Sequence, residues 1–247
     1  MSRMSKQQIK LHKQAEELLK KDVLTFDDKL FVIDNWNEGY EFDNARFGAF
    51  FTPQGLARDF NIEVSGPKVI DLCAGIGTLA FAYVHFRHHY NPEKIKVTCV
   101  EMNPRYVEIG KKILPEAEWI CADVFDVWQT LDRDYDTAIS NPPFGNSVGK
   151  DCVAPRYKGS EFEFKVIDIA SYLASFGVFI VPQMSAGFRF SGVQCYDRNE
   201  SPKYKKFAEQ TGIRLEVGCG VDCNFHKDDW KEVNIVVEIA TTEFIKT

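Results

Sequence analysis

The sequence predicts an α/β fold, a mostly parallel open sheet with helices on both faces, on three observations. Short apolar, β-branched runs near 69–72, 96–101, 118–123 and 135–140 alternate with helical stretches. That alternation implies parallel βαβ units joined by right-handed crossovers. The runs end in polar side chains, Asp71, Glu101, Asp123 and Asn141, at the edge where open α/β sheets place their chemistry. The last of them stops abruptly at Asn141-Pro142-Pro143-Phe144-Gly145, because proline cannot donate to a strand ladder.

The 247 residues fit one large domain, or a core domain with extensions, and 45% apolar and 13% aromatic content suffices for a sizeable core. No run approaches the ~20 apolar residues of a membrane span, and the Lys-rich start lacks the apolar block of a secretory signal, so no membrane partner is expected. Seven cysteines is an odd number, and Cys73, Cys99 and Cys121 sit in strand-like runs. These read as reduced thiols in a cytoplasmic protein and not as a disulfide framework. A net charge of −6 gives no broad nucleic-acid footprint. Contact with nucleic acid must rest on local basic patches.

Taken in order, residues 5–22 read as an amphipathic helix, with Ile9, Leu11, Ala15, Leu18 and Leu19 between lysines. Its lysines are a solvated face or a basic arm for phosphates. Phe26 to Trp36 is a second helix with Asp27 and Asp28 in its first turn, where carboxylates suit the dipole. Thr52 and Pro53 suit the N-cap and first position of a helix running to about residue 60. Residues 1–47 are thus a helical extension and 48–247 the main domain.

Val69 to Ala80 reads as strand, glycine turn and helix start. Gly75 and Gly77 lack a Cβ and let a ligand approach the backbone. Ala80 stands where a dinucleotide fingerprint has its third glycine, which disfavours a nicotinamide or flavin cofactor. Glu101 ends the second strand, where an acid holds ribose hydroxyls. His85, His88 and His89 lie in a polar turn. Like Cys219, Cys223 and His226, they lack the companion ligands of a metal site, and no metal is expected. A capping-box pair, Ser160 and Glu163, predicts a helix over 161–174. Strands follow at 176–181, 213–219 and 233–239, with a helix from Ser201-Pro202. Lys150, Arg156, Lys158, Arg189 and Phe225 combine cations and aromatics in the late loops, a mixture suited to a flipped base and its flanking phosphates.

Phe-Phe-Thr-Pro at 50–53, Asp71-Leu-Cys-Ala-Gly-Ile-Gly, Glu101 and Asn-Pro-Pro-Phe at 141–144 occur in one order. Together they resemble S-adenosylmethionine-dependent adenine-N6 DNA methyltransferases, above all the modification subunits of type I restriction systems and related phage or plasmid enzymes. The resemblance covers 48 to about 182 by motif and the remainder by topology. It implies a Rossmann-like class I methyltransferase fold, with a mostly parallel seven-stranded sheet and an antiparallel last strand. It also implies S-adenosyl-L-methionine as cofactor. Phe51, Thr52 and Pro53 would border its methionine part, and Asp71, Ala74, Gly75 and Gly77 its amino-acid and sulfonium end. Glu101 would hold the ribose, Met102 the adenine ring, and Asp123 with Val124 the adenine amine. Asn141 and Phe144 would serve the target base.

An exocyclic adenine amine is a poor nucleophile, because its lone pair is delocalised into the ring. The Asn141 side-chain oxygen and the Pro142 carbonyl can each accept one N–H, which aims the lone pair and favours the developing positive charge. Phe144 can stack on the base. The stretch 183–247 is short for a target-recognition region, so specificity is minimal or supplied by a specificity subunit or small partner protein. DNA is the preferred partner. An RNA adenine methyltransferase is the alternative, since eukaryotic ribosomal RNA enzymes also carry Asn-Pro-Pro-Phe-Gly. A protein glutamine N5-methyltransferase and a non-catalytic cofactor-binding subunit rank lower.

Overall fold

The computed structural model describes residues 5–37, 39, 50–87, 94–144, 152–231 and 235–245. Helix α1 spans Lys6–Leu18 and α2 spans Phe26–Asn35. Each starts with a reciprocal capping box, Ser5 with Gln8 and Thr25 with Asp28, which satisfies backbone donors that the first turn leaves open. Then come α3 (Gln54–Phe60), β1 (Lys68–Leu72), α4 (Thr78–Phe86), β2 (Lys96–Glu101), α5 (Pro104–Ile113) and β3 (Glu118–Cys121). The short α6 (Val124–Val127) leads to β4 (Tyr135–Ser140), α7 (Phe162–Leu173) and β5 (Ala174–Pro182). A small hairpin, β6 (Phe188–Arg189) and β7 (Asp197–Arg198), precedes α8 (Pro202–Thr211) and β8 (Val237–Glu243).

The main sheet has the order β3-β2-β1-β4-β5-β8, parallel except for β8, which runs antiparallel to β5. Alternate residues supply two cores on opposite faces. Val69, Val178 and Ile180 join one, while Ile70, Phe179 and Val181 join the other, as the two-residue period of a strand dictates. Strand order reverses between β1 and β4. A crevice therefore opens at their C-terminal ends.

Several local expectations are corrected. The stretch 213–219 makes a single bridge, Glu216 to Thr241, in place of a seventh strand. Its donors go elsewhere: Ile213 N–H to the Thr211 hydroxyl and Leu215 N–H to the Tyr204 hydroxyl. Gly218 and Gly220 then turn the chain with positive φ. The final strand begins at Val237 rather than 233, and Val233 lies outside the described residues. Helix α7 starts from Glu161 without a side-chain cap, because Glu163 instead accepts the Ser185 hydroxyl at 2.8 Å. Pro53, not Thr52, occupies the cap position of α3, without a side-chain bond; the Thr52 hydroxyl is engaged by Asn141. Asp123 lies beyond β3 and caps α6.

Helices α1 and α2 pack on the sheet's α5 side. Glu16 accepts from the Trp36 indole at 2.5 Å and from Arg105 of α5 at 2.7 Å. Trp36 is fully buried, stacks on Phe51 and meets Tyr106 edge-on. The extension thereby backs the wall of the crevice.

Candidate active site

Beyond the C-terminal ends of β1, β2 and β4 lies a cleft, concave and largely apolar with a few converging polar groups, as small-molecule sites are. It gathers Phe51, Thr52, Asp71, Ala74, Gly75, Glu101, Met102, Asp123, Val124 and Asn141, all anticipated from sequence. Their segments are far apart in the chain and converge because parallel strands deliver their ends to one edge.

Two residues anticipated there lie elsewhere. Gly77 caps α4 with φ of 87° and faces Trp119, whose ring would lie 2.9 Å from an added Cβ. Its smallness serves helix–strand packing. Pro53 lines a separate polar cleft on the other side of the Phe51-Thr52 wall, with Asp34, Asp229 and Lys231.

Asn141 is held in one orientation. Its Nδ2 donates to the Phe50 carbonyl at 2.9 Å and to the Thr52 hydroxyl at 3.0 Å. A carbonyl only accepts, so the nitrogen must face Phe50 and the oxygen must face away. Asn141 Oδ1 is buried and without a hydrogen-bond partner among the described residues. Pro142 is buried, and Pro143 lines the cleft. Phe144 is half-buried against the apolar core beside α3 and α4 and is not among the lining residues.

The acids behave differently from one another. Glu101 is buried and accepts from the Gly75 amide at 2.9 Å and the Asn103 amide at 2.8 Å. Burial raises its pKa, and the amides oppose the shift. Asp71 is 1% exposed, and neither oxygen has a hydrogen bond of standard geometry among the described residues; the Ala80 amide alone approaches closely enough to oppose a rise in its pKa. Burial first, and the Glu101 charge second, push its carboxyl up to about 8. Such a group is costly to keep and is ready for a cationic ligand. Cys73, between them and the glycine turn, adopts φ of 68°, a conformation that costs about 1–2 kcal/mol outside glycine. Gly75 has φ of 57°, and an added Cβ would lie 2.8 Å from the Phe51 ring. The ring therefore closes over the glycine turn.

Sequence reasoning missed Phe50, Cys73, Thr78, Leu79, Val100, Tyr106, Ala122, Pro143 and Phe162 of the lining. Phe50 belongs to the same motif as Phe51, and Tyr106 and Phe162 occupy first turns of helices that start at this edge. Position at the edge was the available signal.

The anticipated substrate contacts scatter. Arg156 is consumed by the fold, through Asp168, the Thr211 carbonyl and Ser171. Lys158 is exposed, its Nζ 3.5 Å from the Ala154 carbonyl and its amide bonded to Gln210. Arg189 is exposed on the β6–β7 hairpin. Phe225 is 86% exposed on a turn pinned to α3 by the 2.8 Å contact of His226 with Asp59. Lys150, His88, His89, Gly145 and Gly149 lie outside the described residues. Among the described residues no His/Cys/Asp/Glu group is arranged to hold a metal, and no helix is long and apolar enough to cross a membrane.

Residues 54–155 match the family of methyltransferase small domains. The matched segment runs from α3 past β4 and carries most of the cleft, so over it the chain is similar to methyltransferases. A search of curated protein sequences finds no match. Among solved structures, a candidate RNA methyltransferase from Pyrococcus horikoshii aligns with TM-score 0.52 at 16% identity, over 82% of this chain and 90% of that one. A modification subunit of a type I restriction enzyme from Vibrio vulnificus aligns with TM-score 0.59 at 10% identity, over 91% and 51%. The methyltransferase subunit of a type I restriction-modification system from Streptococcus thermophilus aligns with TM-score 0.55 at 17% identity, over 94% and 53%. The chain spans about half the length of these two restriction subunits. At such identities the likeness establishes the methyltransferase fold.

S-adenosyl-L-methionine is the cofactor that the matched methyltransferase domain supports. The residues present fit it. A buried carboxylate without a hydrogen bond of standard geometry, Asp71, suits the ligand's ammonium and sulfonium charges, and Glu101 ends the second strand where ribose hydroxyls are held.

Proposed function

We propose that this methyltransferase modifies the exocyclic N6 amine of adenine in DNA, on a base turned out of its stack. One observation carries the reading. The Asn141 amide is locked by Phe50 and Thr52 so that its unpartnered oxygen is left to accept an N–H at the cleft. An acceptor at that position suits an amine made nucleophilic by orientation rather than by deprotonation. S-adenosylmethionine supplies the methyl group when bound. Asn141 Oδ1, together with the Pro142 carbonyl, holds the amine and stabilises its growing positive charge. The apolar lining of Phe50, Phe51, Val100 and Phe162 excludes water from the transfer. Phe144, packed beside the cleft, would have to turn toward it to stack on the target ring, and Phe51, Asp71, Gly75, Glu101, Met102, Asp123 and Val124 surround the cofactor.

RNA is the second reading. It is favoured by the Pyrococcus horikoshii protein, which this chain matches over nearly its whole length. The restriction subunits favour DNA, with a separate specificity subunit supplying the sequence preference. The deciding measurement is mass spectrometry of nucleosides after incubation with labelled S-adenosylmethionine and either DNA or RNA. Label in N6-methyl-deoxyadenosine is the expected result. Label confined to RNA would transfer the reading to the second substrate, and no label in any adenosine would end both.

A further inference from the structure

We propose that the outer half of α1 is the docking stripe for the sugar-phosphate backbone of the substrate strand; the inference rests on the nucleic-acid reading above. Of the cations anticipated for that task, Arg156 is spent on Asp168, Lys158 and Arg189 stand singly, and Lys150 lies outside the described residues. Lys6, Lys10 and Lys13 are exposed at i, i+4 and i+7, so they share one face. None of them has a hydrogen bond or ion pair among the described residues, whereas Lys20 pairs with Glu17, Lys21 with Asp28 and Lys68 with Asp132 and Asp134. In a chain of net charge −6, an uncompensated row of three is the local patch that nucleic-acid contact requires. The row rims an open groove floored by Ile9, Leu18 and Phe31, against which lysine stems can lie with their charges outward.

The stripe points toward the catalytic edge. Lys112, at the end of α5, donates to the Lys21 carbonyl, and Arg105, in the first turn of α5, pairs with Glu16. The chain from Glu16 to Lys21 therefore follows α5 in the same direction. Because α5 starts where β2 ends, the N-terminal half of α1 projects past the sheet's C-terminal edge. His12, one turn beyond Glu16, packs 5.5 Å from Trp36, which stacks at 5.8 Å on Phe51 of the cleft wall. At ~1.5 Å per residue, Lys10 and Lys6 lie about 9 and 15 Å further out than Glu16. A strand whose base occupies the cleft would pass its flanking phosphates over this overhang.

The test uses the full chain and fluorescently labelled 20-nucleotide probes, single- and double-stranded DNA and RNA, titrated by anisotropy between 50 and 200 mM salt. Lys6→Glu/Lys10→Glu/Lys13→Glu should weaken the best probe at least about tenfold. It should also lower the log–log salt slope by about two to three, at ~0.9 per duplex phosphate. S-adenosylmethionine affinity by calorimetry should stay unchanged. The control is Lys94→Glu/Lys96→Glu/Lys111→Glu, three exposed lysines at the opposite edge and an equal charge change. Equal losses in both variants would reduce the effect to net charge and overturn the stripe. So would unchanged probe binding, the result expected if an acidic protein occupied the groove. Loss in the stripe variant alone, combined with no methyl transfer to any nucleic acid, would sink the proposed activity and leave the stripe standing.

Discussion

Three buried carboxylates in this molecule live under two opposite conditions. Glu238, 1% exposed on β8, accepts from Gln183 Nε2, the Phe190 and Ser191 amides and the Ser191 hydroxyl. It fastens the β6–β7 hairpin to the sheet. Asp168, fully buried on α7, is equally well supplied, by the Arg156 amide and guanidinium and by the Tyr157 amide. Asp71, just as deep on β1, has no hydrogen bond of standard geometry among the described residues, only the near approach of the Ala80 amide. The difference separates acids that hold the fold from one held in reserve by it. Hydrogen-bonded donors offset the cost of burying charge; where they are missing, the cost is carried by the native state until a ligand relieves it.

The comparison breaks most visibly at Asp168. Asp168→Ala leaves the Arg156 guanidinium half-buried without its partner, and urea unfolding should show a loss of about 3–5 kcal/mol. A loss below 1 kcal/mol would mean that the pair contributes nothing net. Next comes Asn141→Ala. Losing its two Nδ2 bonds to Phe50 and Thr52 should cost about 1–3 kcal/mol in urea unfolding, while methyl transfer drops about 10²–10³-fold, the effect of deleting one pre-aimed transition-state contact. Cofactor affinity should persist, and unchanged turnover would remove Asn141 from the chemistry.

Asp71 gives a subtler contrast, with the opposite sign. Its folded pKa of about 8 lies above the ordinary unfolded value near 4. Between those limits the native state binds the extra proton. Its contribution to stability is complete below about pH 4 and falls as pH rises toward 8, by up to ~1.4 kcal/mol per unit. Asp71→Asn cannot ionise, so its urea midpoint relative to wild type should be higher at pH 8 than at pH 5, while cofactor affinity falls. A pH-independent difference would show that Asp71 is not held protonated. The smallest effect is expected at Gly77→Ala, where the positive φ and the Trp119 ring should cost about 1–2 kcal/mol of stability. Cofactor affinity should follow only through that loss, whereas Gly75→Ala should strike affinity directly by displacing Phe51.

What was legible in the sequence was what local chemistry writes. Asp71, Glu101 and Asn141 terminate strands, and strand ends share an edge, so the site assembled as anticipated around the β1–β4 crevice. Pairings across long separations left no local trace. Nothing near Arg156 announces Asp168, because both sit in apolar surroundings whose geometry depends on α7 and α8 packing together. Thr52 looked like a helix cap because its preference for that position is local, while the side chain that captures it arrives 89 residues later. The stretch 213–219 had the composition of a strand, but side-chain hydroxyls took its amides before a neighbour could. The direction of α1, which decides whether its lysines face the catalytic edge, is likewise set by Glu16 meeting Arg105.

The bond from Asn141 to the segment 50–52 also separates being folded from being competent. The sheet is complete without that segment: its ladders join β1 to β8 and none includes residues 50–52. Should the segment detach, as surface segments do in local opening, the sheet would stay intact while the amide lost the two acceptors that fix its rotation. The Asn141 oxygen, which the proposed function makes the acceptor of the target amine, would then point either way. Readiness for chemistry is thus a local equilibrium riding on a stable scaffold, and whatever presses on the Phe51 side of the cleft, cofactor included, sets its position.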